Sequence, residues 1–147
     1  MQTEMKINRL MDSFADAVET ATQERLQRYD RYTEMFCNGE ISEDEYRDRN
    51  ISAGMKAQES ITDAKKFHTW AITTLLNGGK IDGIKVAGYS GTWYVIDVRI
   101  IKGQTLLLLE SEQYGDETES LIVTEKQHKL KLDDVWNGWN DYYEANE

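Results

Sequence analysis

The sequence contains no proline, a single cysteine and only two histidines among its 147 residues. One cysteine excludes an internal disulfide, so a reducing compartment is the expected setting. No apolar run approaches the roughly 18 residues that a membrane-spanning helix needs. The first six residues also lack the charged-then-apolar pattern of a signal peptide, and we therefore expect a cytoplasmic protein.

Basic residues are scarce, since 17 lysines and arginines stand against 27 aspartates and glutamates, for a formal net charge of -10. A general nucleic-acid binder needs a basic surface to neutralise phosphates, and so does a protein that binds anionic membranes. The composition argues against both classes. Hydrophobic residues make up 39% of the chain, with four tryptophans, eight tyrosines and three phenylalanines. Such a chain can bury a core and is not expected to be disordered.

Without proline, long helices can end only at glycines and capping residues. Apolar residues recur at three- and four-residue steps up to the first glycine, Gly39, which predicts a helix over about residues 3–37. Ser42 and Glu45 form a capping-box pattern and predict the start of a second helix over about 43–77. Because the connection is short, the two helices are expected to form an antiparallel hairpin.

After residue 79 the pattern changes to short runs of β-branched and aromatic residues between glycines. These runs predict strands at about 84–87, 92–101, 105–109 and 121–124, the first of them an edge strand. Helical spacing returns over 133–144 and predicts a short C-terminal helix. The predicted fold class is α+β, with a long helical hairpin in 1–79 and, in 80–147, a small, mainly antiparallel β-sheet module with a C-terminal helix.

No residue pattern points to catalysis. Ser90 resembles the serine of a nucleophile elbow, but Thr92 stands where the elbow requires glycine, so a turn leading into a strand is expected. Cys37 has no basic partner nearby in the sequence, and His68 is interpreted as a packing or surface residue. With His128, these scattered residues lack metal-ligand spacing. We therefore expect no enzyme activity, no metal and no cofactor.

The most unusual local feature is an acidic stretch with five carboxylates in ten residues. They are Glu110, Glu112, Asp116, Glu117 and Glu119. A Ca²⁺ site would match the charge, but the ordered spacing of a calcium loop is missing. A solvated loop is one interpretation. The functional interpretation is a negative contact surface for a partner's arginines and lysines, with the carboxylates standing in for nucleic-acid phosphates.

Aromatic residues crowd the end of the chain. Trp139 and Tyr142 share a helical face and are expected to pack on the sheet. Trp136 and Tyr143 then point elsewhere, and exposed aromatic side chains are typical binding anchors. The alternative is that these side chains cover the second face of the sheet.

Three segments carry a resemblance to a known family. They read LLLESEQYGDE at 107–117, SLIV at 120–123 and LDDVWNGWNDY at 132–142. Over about residues 89–143, the chain resembles small domains of the large polyvalent protein-associated type, in which a strand, a turn, a second strand and a helix follow one another. Trp139 and Tyr142 replace a phenylalanine and a leucine of the family pattern, and both are conservative core changes.

Such domains are carried by phages and conjugative elements of Gram-positive bacteria, so the resemblance implies an origin in a mobile element. The family has no established catalytic residues that could be transferred to this chain. The helical hairpin lies outside the resemblance.

Three function classes remain. The first is an anti-CRISPR-like inhibitor that binds the basic nucleic-acid cleft of a host nucleoprotein defence complex as a DNA mimic, through the acidic stretch together with Trp136 and Tyr143. The alternative is a non-catalytic structural or adaptor module that associates through the hairpin, and an enzyme comes third. The expected partner is a protein, such as a CRISPR effector complex in the host cytoplasm. Direct binding of nucleic acid or membrane is not expected, and a homodimer is left open.

Overall fold

Two long α-helices form the N-terminal half of the protein. The computed structural model describes residues 2–86, 89–111 and 120–132, and in it α1 spans Thr3–Cys37 and α2 spans Glu43–Leu76. Both predicted helices are therefore confirmed, with ends that differ from the prediction by at most one residue. They pack against each other as the expected hairpin.

The connection between the helices is fixed by caps on both sides. After α1, Gly39 adopts a φ of +75°, and its N–H donates to the carbonyl of Phe36 over 3.1 Å. A left-handed residue just after the last turn is the usual way for a helix to end, and glycine adopts it without strain. α2 begins after Ser42, whose hydroxyl oxygen accepts from the N–H of Glu45 over 3.1 Å. The predicted N-terminal cap of the second helix is thus confirmed.

The second half is a four-stranded antiparallel sheet in which neighbours in sequence are neighbours in space. Its strands are β1 (Lys80–Val86), β2 (Tyr89–Ile101), β3 (Gln104–Ser111) and β4 (Ser120–Thr124). Lys102 and Gly103 join β2 to β3 and have φ values of 51° and 78°. Two positive φ angles are typical of a tight two-residue hairpin turn. All four predicted strands are confirmed, and the first begins earlier than expected.

A short helix, α3 (Glu125–Lys129), follows β4 directly. The hydroxyl oxygen of Thr124 accepts from the N–H of Gln127 over 3.4 Å and caps its first turn. The sequence did not predict this helix, whereas the helix predicted over 133–144 lies outside the described residues. The α+β fold class, with two long helices before the sheet and a short helix after it, is confirmed.

One hydrophobic core joins the hairpin to the sheet. Leu10 of α1 and Phe67 of α2 are fully buried in it. Its other buried members are Ala71, Leu75, Ile81, Ile84, Trp93, Val95, Val98, Leu107, Leu109, Leu121 and Val123. Side chains from both sides of residue 79 thus share one core, while the division into modules 1–79 and 80–147 stays a prediction.

The hairpin continues past its last deeply buried side chains. α1 has 35 residues, about 50 Å at 1.5 Å per residue, and its last buried side chain is Ala21. We call residues 22–37 and 43–60 the outer half of the hairpin. There α2 buries Ala53 and Ala57, so two small side chains are its buried contribution to this half. Within the described residues, Ile41 in the connection is the one larger aliphatic side chain buried at this end of the hairpin, so the outer half has little aliphatic core of its own.

The shared core leads to a prediction about cooperativity. Leu10→Ala should lower the free energy of unfolding by about 2–5 kcal/mol, because it leaves a cavity under the sheet. The matched control is Leu26→Ala on the same helix, where the side chain is 50% exposed and the expected loss is below about 0.5 kcal/mol. Urea unfolding should be followed by far-UV circular dichroism and by hydrogen exchange of the β2 and β3 amides.

Both measurements should report the same loss for Leu10→Ala, because α1 and the sheet unfold together. Unchanged protection of the sheet amides in this variant would contradict the shared core.

Candidate protein-binding surface on the helical hairpin

Of the residues that the sequence predicted to bind a partner, Glu110 alone lies within the described part of the chain. It is on β3, opposite Tyr94 of β2 and Ser120 of β4, and its side chain is partly buried. The other predicted contact residues, Glu112, Asp116, Glu117, Glu119, Trp136 and Tyr143, lie outside the described residues. The partner-binding roles of the whole set stay predictions.

The residues considered for catalysis are dispersed. Ser90 lies within β2, and Cys37 is exposed at the end of α1. Among the described residues, no group of three or more histidine, cysteine, aspartate and glutamate side chains is arranged to hold a metal ion. In the same part of the chain, no helix combines the length and the apolar character that crossing a membrane requires.

His68 is a buried member of a hydrogen-bonded chain that connects both helices to the sheet. Its Nδ1 lies 2.7 Å from the carbonyl oxygen of Ala64, and its Nε2 lies 3.1 Å from the hydroxyl of Ser13. That hydroxyl is also hydrogen-bonded to the hydroxyl of Thr105 on β3. A carbonyl can only accept, so Nδ1 donates to Ala64, and Nε2 of the neutral ring accepts from Ser13. Ser13 in turn accepts from Thr105.

The chain forms one wall of a cavity of about 470 Å³ between the helices, the β2–β3 turn and α3. Lys129 spans its edge, with its ammonium 2.9 Å from a carboxylate oxygen of Asp63. This contact raises the pKa of Lys129, and burial raises the pKa of Glu125 on the same helix. Ser13, His68 and Thr105 are each over nine-tenths buried, and each has a hydrogen-bonding partner within the chain. We therefore assign this arrangement a role in attaching the hairpin to the sheet.

A larger open groove of about 760 Å³ runs along the outer half of the hairpin. It is lined by Arg25, Tyr29, Glu43, Tyr46, Arg47, Asn50, Ile51, Gly54, Met55 and Gln58, and we call it the hairpin groove. Large apolar side chains are exposed along it, with Tyr29 50%, Ile51 55% and Met55 68% exposed. Exposed apolar side chains grouped in this way are typical of a surface that another molecule covers.

Aromatic contacts hold the far end of the groove in shape. The rings of Phe36 and Tyr46 stack with centroids 5.0 Å apart and an angle of 18° between their planes. The Tyr46 hydroxyl is hydrogen-bonded to the hydroxyl of Thr33 over 2.8 Å. Arg49 places its guanidinium 5.7 Å from the centre of the Tyr32 ring. Each of these contacts joins α1 to α2, so the two helices form one surface here.

The guanidinium of Arg25 lies directly against Gly54 of α2. A Cβ atom placed on Gly54 would lie 3.0 Å from one guanidinium nitrogen of Arg25 and 3.3 Å from its central carbon. α2 continues through Gly54 as a helix, although glycine costs a helix interior about 1 kcal/mol relative to alanine. Within the described residues, Arg25 has no carboxylate within 4.0 Å and no side-chain hydrogen bond. The groove thus presents exposed apolar side chains beside a cation that has no partner among the described residues.

The buried histidine leads to a prediction about pH. Burial lowers the pKa of His68, an effect that the hydrogen bond to Ala64 only partly offsets, and burial also lowers the pKa of His128. In the unfolded chain the two histidines have pKa values near 6.5, so as the pH falls they are protonated there before they are protonated in the folded protein. Their contribution to the free energy of unfolding is therefore fully present above about pH 6.5. This contribution is lost as the pH falls from about 6.5 towards the lower pKa values that the histidines have in the folded protein.

Urea unfolding of the wild type should therefore give a smaller free energy at about pH 5.5 than at about pH 7.5. His68→Gln should reduce this difference, whereas His128→Gln should retain the share that comes from His68. A wild type that is equally stable at both values would contradict a buried neutral His68, as would an undiminished difference in His68→Gln.

Comparisons with known proteins locate a family match in the second half of the chain. Residues 74–146 match the model of a family described as large polyvalent protein-associated domain 18. Neither a search of curated proteins nor a search of solved structures gave a significant match. The matched segment includes the end of α2, the whole sheet and α3, and it leaves most of the hairpin outside. The match supports the family resemblance seen in the sequence over about 89–143 and extends it: residues 74–146 are similar to domains of the large polyvalent protein-associated type.

Proposed function

We propose that this protein is a non-catalytic adaptor of a mobile element and that it binds a protein partner through the hairpin groove. The observation that carries the proposal is the exposure of Tyr29, Ile51 and Met55 beside an arginine without a carboxylate partner in the described residues. Tyrosine, methionine and arginine are enriched in protein–protein interfaces relative to the remaining surface.

The packing of the hairpin supports this assignment. The helices of the outer half contact each other through buried alanines and the Phe36–Tyr46 stack, so Ile51 and Met55 are not needed to hold them together. Exposed isoleucine and methionine side chains favour association. A groove between two helices is moreover a common docking place for an amphipathic helix, which places its apolar face between them.

The adaptor function is tested by substitutions that place a charge in the groove. The tagged wild type is purified from its natural host, the co-purifying protein is identified by mass spectrometry, and its affinity is then measured with both purified proteins. Ile51→Glu and Met55→Glu should each weaken binding by about 30-fold or more, because each buries an unpaired carboxylate in the interface.

Met11→Glu is the matched control. Met11 is 57% exposed on α1 and is not part of the groove. It should bind like the wild type, and circular dichroism should show all three variants folded. Unchanged affinity in both groove variants would refute the adaptor function at this surface.

The second candidate is the anti-CRISPR-like inhibitor, and the observation that favours it is the net charge of -10, together with the similarity of residues 74–146 to large polyvalent protein-associated domains. The cleft that holds target DNA in a CRISPR effector is lined by basic residues, and a carboxylate-rich surface is complementary to it. In this proposal the acidic stretch from Glu110 to Glu119 attracts the effector, while Trp136 and Tyr143 contribute desolvated packing.

This candidate predicts how charge changes alter binding kinetics. Association with a purified CRISPR effector should slow as salt rises, because exposed charges are screened over about 8 Å at physiological ionic strength. Replacement of Glu112, Asp116, Glu117 and Glu119 by the corresponding amides should slow association at low salt and flatten the salt dependence. Trp136→Ala and Tyr143→Ala should instead speed dissociation. An unchanged association rate and salt slope in the four-site variant would exclude the charge-mimic mechanism.

A further inference from the structure

The hairpin groove has ends of opposite charge. Arg25 lies at one end, beside Gly54, and Glu43 lies at the other end, in the first turn of α2. Eleven residues separate Glu43 from Gly54 on α2, which corresponds to about 16 Å along the helix. Tyr29 and Ile51 also line the groove, and their exposed side chains provide apolar surface between these ends.

The two ends differ in how far their charges are already compensated. The cation of Arg25 has no carboxylate partner within the described residues. At the other end, Arg47, which also lines the groove, lies 3.5 Å from Glu43 and 3.9 Å from Asp44, and Arg49 lies 3.8 Å from Glu45. The three carboxylates of this helical turn are 57% to 90% exposed and outnumber the two arginines. One end therefore carries a cation without a carboxylate partner in the described residues, and the other keeps an excess of negative charge on exposed carboxylates.

A ligand that fits this groove must place a negative charge near Arg25, a positive charge near Glu43 and apolar groups between them. A second copy of the groove that runs in the opposite direction meets this requirement. In a two-fold symmetric contact each surface meets its own copy, so a contact between positions 25 and 43 occurs twice. We infer that a second copy of this chain occupies the groove in an antiparallel, two-fold arrangement.

In this dimer Arg25 of each copy faces the acidic end of the other, and Tyr29 and Ile51 pack about the two-fold axis. The inference rests on the proposed function, because it concerns the same groove: a second copy occupies it in the free protein, and the protein partner takes the place of that copy on binding. Gly54 favours this arrangement, because without a Cβ it lets the guanidinium of Arg25 lie close against α2.

The test uses reciprocal charge reversal, with the dimer dissociation constant measured by sedimentation equilibrium on the full chain. The wild type should dimerise below about 100 µM. Arg25→Glu alone should weaken the dimer at least about tenfold, because it places carboxylates opposite one another, and Glu43→Arg alone should do the same with cations. An equimolar mixture of the two single variants should regain the dimer, because every contact between positions 25 and 43 in the mixed species joins opposite charges.

Arg31→Glu is the control for net charge, since Arg31 is exposed on α1 outside the groove and its reversal changes the charge by the same amount. It should dimerise like the wild type. Gly54→Gln provides a second approach, because glutamine favours the helix yet fills the space of the guanidinium, and it should weaken the dimer while α2 stays folded. Circular dichroism is recorded for every variant.

A wild type that stays monomeric at about 100 µM would overturn the inference, and so would a dimer that neither single reversal weakens. Failure of the mixture to restore the dimer would overturn the two-fold arrangement. Each of these results is distinguishable from failure of the adaptor function, because binding of the co-purified partner is measured separately with Ile51→Glu and Met55→Glu.

Discussion

Burial of Leu10 and Phe67 against the sheet is the contact on which the rest of the structure depends. A small sheet with an uncovered apolar face is not stable by itself, and these two side chains bring α1 and α2 onto that face. Hydrogen bonds reinforce this contact: the side chains of Lys6 and Arg9 donate to backbone carbonyls of β2. The orientation of the hairpin relative to the sheet is thereby determined within its first turns.

The two halves of the hairpin consequently have different roles. Near the sheet, the apolar side chains of the hairpin are buried in the core. The polar side chains buried with them, Thr105, Ser13 and His68, are hydrogen-bonded to one another in a chain. In the outer half, several large apolar side chains are exposed, Ile51 and Met55 among them. Stability thus resides mainly near the sheet, and the surface available for recognition lies away from it.

Much of this fold could be predicted from local sequence. The absence of proline and the position of Gly39 defined both long helices, and runs of β-branched residues defined the strands. α3 could not be recognised, because five residues are too few to show helical periodicity and its main signal is the cap at Thr124. An apolar pattern also does not distinguish a residue in the core from one exposed for a partner, as Leu10 and Tyr29 on the same helix demonstrate.

The candidate site was harder to predict, because its residues meet only through tertiary packing. The sequence drew attention to dense local features, the acidic stretch and the aromatic C-terminus, whereas the hairpin groove combines residues from two helices. A glycine inside a predicted helix usually suggests a bend, and the relation of Gly54 to Arg25 emerges only once the register of the helices is known. Likewise, Ser13 and His68 are 55 residues apart, and Ser13 and Thr105 are 92 apart.

The alanines between the helices limit which substitutions the protein can accept during evolution. Ala21, Ala53 and Ala57 face inward and occupy the small space between α1 and α2. A larger side chain at these positions would push the helices apart, so the inward sequence is constrained. The outward positions carry no such constraint, because the hairpin closes without them. Substitutions there can alter which molecule is recognised while leaving the fold intact, so recognition and folding can evolve separately in this hairpin.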